Sequence, residues 1–75
     1  MKLSTIHNKY EEILHSEEED DIKSLLFGKL MTDMEMFYHI PIFSDEGWEK
    51  KNKTVLALFR KISSTRNLYK KRFPL

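Results

Sequence analysis

The chain contains no cysteine, so neither a disulfide framework nor a thiolate metal site is open to it, and a reducing, cytoplasmic compartment is the expectation. Proline and glycine are scarce, two of each in 75 residues, which leaves long stretches where nothing interrupts a helix. No apolar run reaches the roughly 20 residues of a membrane span. The most apolar stretch, residues 22–37, carries Lys23, Lys29, Asp33 and Glu35, and the opening MKLSTIHNKY lacks the apolar core of a secretion signal. A soluble protein without a membrane partner is expected. Internal repeats are absent, and the only biased tract is the acidic run at residues 17–21. No Asp or Glu follows Glu49, so the final third of the chain carries cations alone.

What is present points to helices. Apolar residues at 40% and nine aromatics lie in the range of folded domains, and a chain this short makes one domain that buries about 60% of its unfolded surface. Leu3, Ile6, Tyr10, Ile13 and Leu14 recur at helical spacing and predict a first amphipathic helix over residues 3–15. Ser16 stands three residues ahead of Glu19, the spacing of a capping box, and predicts a second helix over residues 17–39 with the acidic run in its first turn. Pro41 ends it. The stretch FYHIPIF, residues 37–43, reads as a packed connector. Ser44 reads as the cap of a short helix over residues 45–51, interrupted by Gly47 and Asn52 and anchored to the core by Trp48. Val55, Leu58, Phe59, Ile62 and Tyr69 then share one face of a last helix over residues 53–70, followed by a basic tail at 71–75. The expected fold is all-α: a small bundle of three main helices plus one short helix.

The second helix is the organising element. At about 100° per residue, Ile22, Leu25, Leu26, Phe27, Leu30, Met31, Met34, Met36, Phe37 and Tyr38 cover more than half of its circumference. Ser24, Gly28, Thr32 and Glu35 share the remainder. Core packing is the expectation for the three methionines, although methionine also serves adaptable binding surfaces. Ser24, Gly28 and Thr32 form a small-residue stripe that allows another helix to approach closely, within the chain or from a second copy, and a homodimer is expected on that basis.

Charge is segregated along the chain. Residues 1–49 hold four lysines against twelve carboxylates, a net of −8, whereas residues 50–75 hold nine Lys and Arg and no acid, a net of +9. One reading has the two halves pack together and neutralise each other; the other has one half present a sign-specific surface to a partner. In the acidic version Glu11, Glu12, Glu17, Glu18, Glu19, Asp20 and Asp21 imitate phosphates and occupy a protein site built for nucleic acid. In the alternative, Lys53, Arg60, Lys61, Arg66, Lys70, Lys71 and Arg72 track the phosphates of a nucleic acid, with Ser64 and Asn67 adding hydrogen bonds. No helix-turn-helix spacing supports the alternative, because a proline-containing connector and a short helix separate the two long helices.

Within the last helix, VLALF at residues 55–59 resembles the Q-L-x-L-F peptide by which bacterial proteins dock on the replication sliding clamp, matching at Leu56, Leu58 and Phe59 and departing at Val55, where the motif has glutamine. Such peptides dock extended, whereas the same spacing places Val55, Leu58 and Phe59 on a helix core face. With the size and the charge layout, this peptide gives the chain a resemblance to small phage-encoded inhibitors of host replication proteins. The resemblance implies a protein partner engaged in DNA replication.

No chemistry is assembled. His7, Glu11 and His15 fall on one helix face, but the two histidines stand about 12 Å apart along the axis and cannot share an ion. The acidic run lacks the glycine and alternating oxygen ligands of a calcium loop, and no nucleophile motif occurs. The expectation is a non-enzymatic protein without a cofactor, acting through a protein partner, with nucleic acid as the alternative.

Overall fold

The computed structural model describes residues 2–70. Four helices follow in order, α1 (Leu3–Leu14), α2 (Asp20–Tyr38), α3 (Glu46–Lys51) and α4 (Lys53–Tyr69), and no strand occurs among the described residues. The basic tail lies outside them. The three long helices pack into a flattened body of 39 × 31 × 16 Å, in which α2 touches both α1 and α4.

The core forms where the three helices meet. Ile6 and Tyr10 of α1, Phe27, Leu30 and Met34 of α2, and Val55 and Ile62 of α4 are buried together. Trp48, Leu58, Phe59 and Tyr69 pack against this cluster, as their spacing predicts. Tyr10 and Tyr69 flank Phe27, with ring centroids 5.6 Å and 5.9 Å from it. Burying tyrosine requires a partner for its hydroxyl, and here Tyr10 Oη lies 2.9 Å from Thr65 Oγ1. Because the Thr65 hydroxyl donates its own proton to the Lys61 carbonyl at 2.9 Å, Tyr10 is the donor in that pair. Lys23 is also buried; its Nζ donates to the Leu14 carbonyl at 3.0 Å and stands 5.0 Å above the Tyr69 ring. One ammonium thus joins the end of α1, the start of α2 and the end of α4, and it meets the negative end of the α1 dipole.

Helix ends follow local hydrogen bonding, and two caps differ from the sequence reading. Ser16 donates to the Ile13 carbonyl at 2.7 Å and closes α1 instead of opening α2. The second helix starts three residues late, at Asp20, leaving Glu17 and Glu18 outside it and Glu19 as an N-cap with no side-chain cap bond. A helix begun at Glu17 would stack that carboxylate on Asp20 and Asp21 at i+3 and i+4, which is repulsive. For α3 the cap is Asp45, not Ser44: its Oδ1 accepts from the Trp48 amide at 3.1 Å. Asn52 separates α3 from α4, donating from Nδ2 to the Trp48 carbonyl at 2.8 Å while its own carbonyl accepts from Leu56. The helix break expected there is present.

The orientation of α2 is the main correction. Its buried side runs through Lys23, Ser24, Phe27, Leu30 and Met34, so part of the small-residue stripe faces α4 while Leu25, Met36 and Phe37 are exposed. A Cβ at Gly28 would stand 3.1 Å from Arg66 Cζ, so α4 of the same chain already covers the position expected to admit a second copy. Thr32 remains exposed and donates to the Gly28 carbonyl. The methionines divide accordingly: Met34 is in the core, Met31 packs against it, and Met36 is exposed. Of the expected connector, Tyr38 and Ile40 pack against the core and Pro41 is half-buried, whereas Ile42 and Phe43 are 89% and 84% exposed.

Candidate functional site

The acidic residues do not all share a surface. Glu17, Glu18, Glu19, Asp20 and Asp21 form one exposed edge where the α1–α2 connection enters α2. Asp20 and Asp21 occupy the first helical turn, where the dipole favours them, and Asp21 Oδ1 accepts from the Ile22 amide at 3.0 Å. The three glutamates precede the helix and have no such local reason to be acidic. None of the five takes part in an ion pair among the described residues.

Glu11 and Glu12 stand apart from this edge on α1. The Glu11 carboxylate lies 3.8 Å from His7 Nε2 and 3.3 Å from His15 Nε2, so both histidines turn toward one acid. Among the described residues no group of three such side chains has the geometry to hold a metal ion. Glu12 borders the groove between α1 and α2 together with Lys9, Lys29 and Asp33.

The basic residues are dispersed around α4. Lys53 and Arg60 share a concavity of about 540 Å³ with Lys50, but Glu46 and Glu49 line it too, and Arg60 lies 3.9 Å from Glu49. Lys61 points toward α1, its Nζ 5.2 Å above the Tyr10 ring. Arg66 turns toward α2 over Gly28, and its buried Nε has no hydrogen-bond partner among the described residues. Lys70 follows α4 and is exposed; Lys71 and Arg72 lie outside the described residues. The helical period explains the scatter, for Lys53, Lys61 and Arg66 are spaced to point in three directions.

The VLALF peptide lies within α4, with Val55 buried and Leu58 and Phe59 packed on the core. Extended docking of those residues would require α4 to unwind and the core to open. The charge halves, although packed through α2 and α4, are not joined by any ion pair between the acidic edge and α4 among the described residues. The ion pair that does join the two halves among the described residues is Arg60 with Glu49.

The sequence pattern puts Leu25, Leu26, Met36 and Phe37 in one broad apolar surface with Phe27, Leu30 and Met34 and does not tell which part of it faces inward; the structure leaves these four exposed. A signal was available in the interruption of that apolar surface by Lys29 and Asp33. Comparison of the chain with protein-family models, with curated proteins and with solved structures gives no significant match.

Proposed function

We propose that this is a non-enzymatic helical protein that binds and inhibits a protein partner whose own surface is built for nucleic acid, with DNA-replication proteins such as the sliding clamp as the partner class. The observation that carries this reading is the edge at residues 17–21, five consecutive exposed carboxylates with no cation paired to them among the described residues. Closely spaced carboxylates present to a basic cleft the same density of negative charge as a phosphate backbone, and such charge draws the partner in at long range. The helical state of residues 55–59 makes this edge, not a peptide motif, the surface to test against the clamp.

The test combines capture from a low-salt lysate, with and without nuclease, with direct binding to purified clamp. Capture of a protein should survive nuclease and be lost when Glu17, Glu18, Asp20 and Asp21 are all changed to lysine. Capture that is indifferent to those four reversals would refute the acidic reading. So would binding to duplex DNA with log affinity falling against log salt at about −0.9 per phosphate contact, a result that assigns the function to Lys53, Arg60, Lys61, Arg66 and the residues after them.

A further inference from the structure

The outer surface of α2, from Leu25, Met36 and Phe37 to the edge of the α1 groove at Leu26, Lys29 and Asp33, is chemically self-complementary. Leu25 is 67% exposed, Leu26 37%, Met36 72% and Phe37 51%. Lys29 and Asp33 lie between these two apolar pairs on the same side of the helix, at i and i+4. Neither has an ion-pair partner among the described residues. Lysine ahead of aspartate is also the weaker order for a pair within one helix, and Lys29 is exposed while Asp33 is half-buried at the edge of the groove that Lys9 and Glu12 of α1 also line.

We infer that this face pairs with the same face of a second copy, the two α2 helices running antiparallel about a two-fold axis at the level of residue 31. When identical helices pair antiparallel, facing residues have numbers that add to one constant total. Leu25 with Phe37, Leu26 with Met36, and Lys29 with Asp33 all satisfy the same total, so a single register makes three complementary pairs and the two-fold repeats each of them. A parallel pairing in register would instead set Lys29 on Lys29 and Asp33 on Asp33, which is repulsive.

Dimensions agree with a helix pair. From Leu25 to Phe37 the face runs roughly 18 Å at 1.5 Å per residue, more than three turns, and helices in contact lie about 8–10 Å apart. One helix face is less than the approximately 800 Å² per partner of a standard interface, so the dimer is a weak one that exchanges with monomer. This pairing uses neither the acidic edge nor Gly28. It is independent of the proposed partner binding.

Sedimentation equilibrium over a concentration series tests the register. The wild-type chain should pass from monomer to dimer. Lys29→Asp sets acid against acid and Asp33→Lys sets base against base, so each variant alone should self-associate at least tenfold more weakly. Mixed in equal amounts, the two variants restore both ion pairs and should form a heterodimer tighter than either homodimer; the double variant Lys29→Asp/Asp33→Lys should recover wild-type dimerisation. Circular dichroism of each variant reports whether the fold is retained. A wild-type chain that stays monomeric throughout, or a dimer unmoved by the single reversals, overturns the inference. So does failure of the folded variants to associate on mixing.

Discussion

His39 is the one non-glycine residue with a left-handed backbone among the described residues, at φ 55° and ψ 46°. That conformation closes α2 in front of Pro41: the amides of His39 and Ile40 both reach the Glu35 carbonyl, the latter at 3.2 Å. A side chain there crowds its own carbonyl, a cost that glycine avoids. His39→Gly should stabilise the fold by about 0.5–1 kcal/mol, and at about 4–8 °C per kcal/mol for a domain of this size the midpoint should rise by several degrees. A thermal melt that is unchanged or lowered would mean that His39 makes a contact worth more than the strain it carries. Single residues also mark where sequence reading was least secure. Ser16 and Ser44 each had the type and the spacing of a cap, but a hydroxyl can equally bond backward to a carbonyl, as Ser16 does, and Asp45 competes with Ser44 one position on. Nothing local decides between such bonds.

At the scale of elements, helix existence was legible and helix orientation was not. The periodicity of Leu3, Ile6 and Tyr10, the stop at Pro41 and the break at Asn52 are local signals, and α1, α3 and α4 lie within a residue of where those signals place them. Only the start of α2 was displaced, by the clustering of carboxylates. Which side of α2 faces inward is a tertiary choice, because a helix that is apolar around most of its circumference has no strong preferred face of its own. The choice falls on the side holding Ser24 and Gly28, where small side chains allow α4 to close in, and the bulkier Leu25, Met36 and Phe37 are left outside. Gly28 tests this account. In Gly28→Ala the new methyl meets only the Arg66 guanidinium, the movable end of a long side chain, and the gain in helix propensity offsets the adjustment. Gly28→Leu would displace Arg66 and force α2 away from α4, an overpacking cost of about 1–3 kcal/mol. Urea denaturation should show the alanine variant near wild type and the leucine variant clearly weaker. Equal stability of all three proteins would mean that α4 does not lie over Gly28.

On the scale of the whole molecule, the acidic edge at residues 17–21 has no ion-pair partner among the described residues. The ion pairs among the described residues lie elsewhere: His7 and His15 with Glu11 within α1, and Arg60 of α4 with Glu49 of α3. Exposed pairs of this kind contribute at most about 1 kcal/mol each, so changing the ionic strength should move the melting midpoint little. Partner capture should respond differently. Charge held on one edge acts over distances comparable to the screening length, about 10 Å at 0.1 M salt, and raises the rate of encounter more than it slows dissociation. Measured by surface capture across a salt series, the association rate with the partner should fall steeply as salt rises while the dissociation rate hardly changes. Reversing Glu17, Glu18, Asp20 and Asp21 to lysine should bring the association rate at low salt down to or below the wild-type rate at high salt and remove its downward slope. Neutralising Lys53 and Arg60 should leave both rates near wild type, because Glu46 and Glu49 share their concavity. If the reversed protein associates as fast as wild type at every salt concentration, the acidic edge does not steer binding, and the exposed apolar surface at Ile42 and Phe43 becomes the next place to look for the interface.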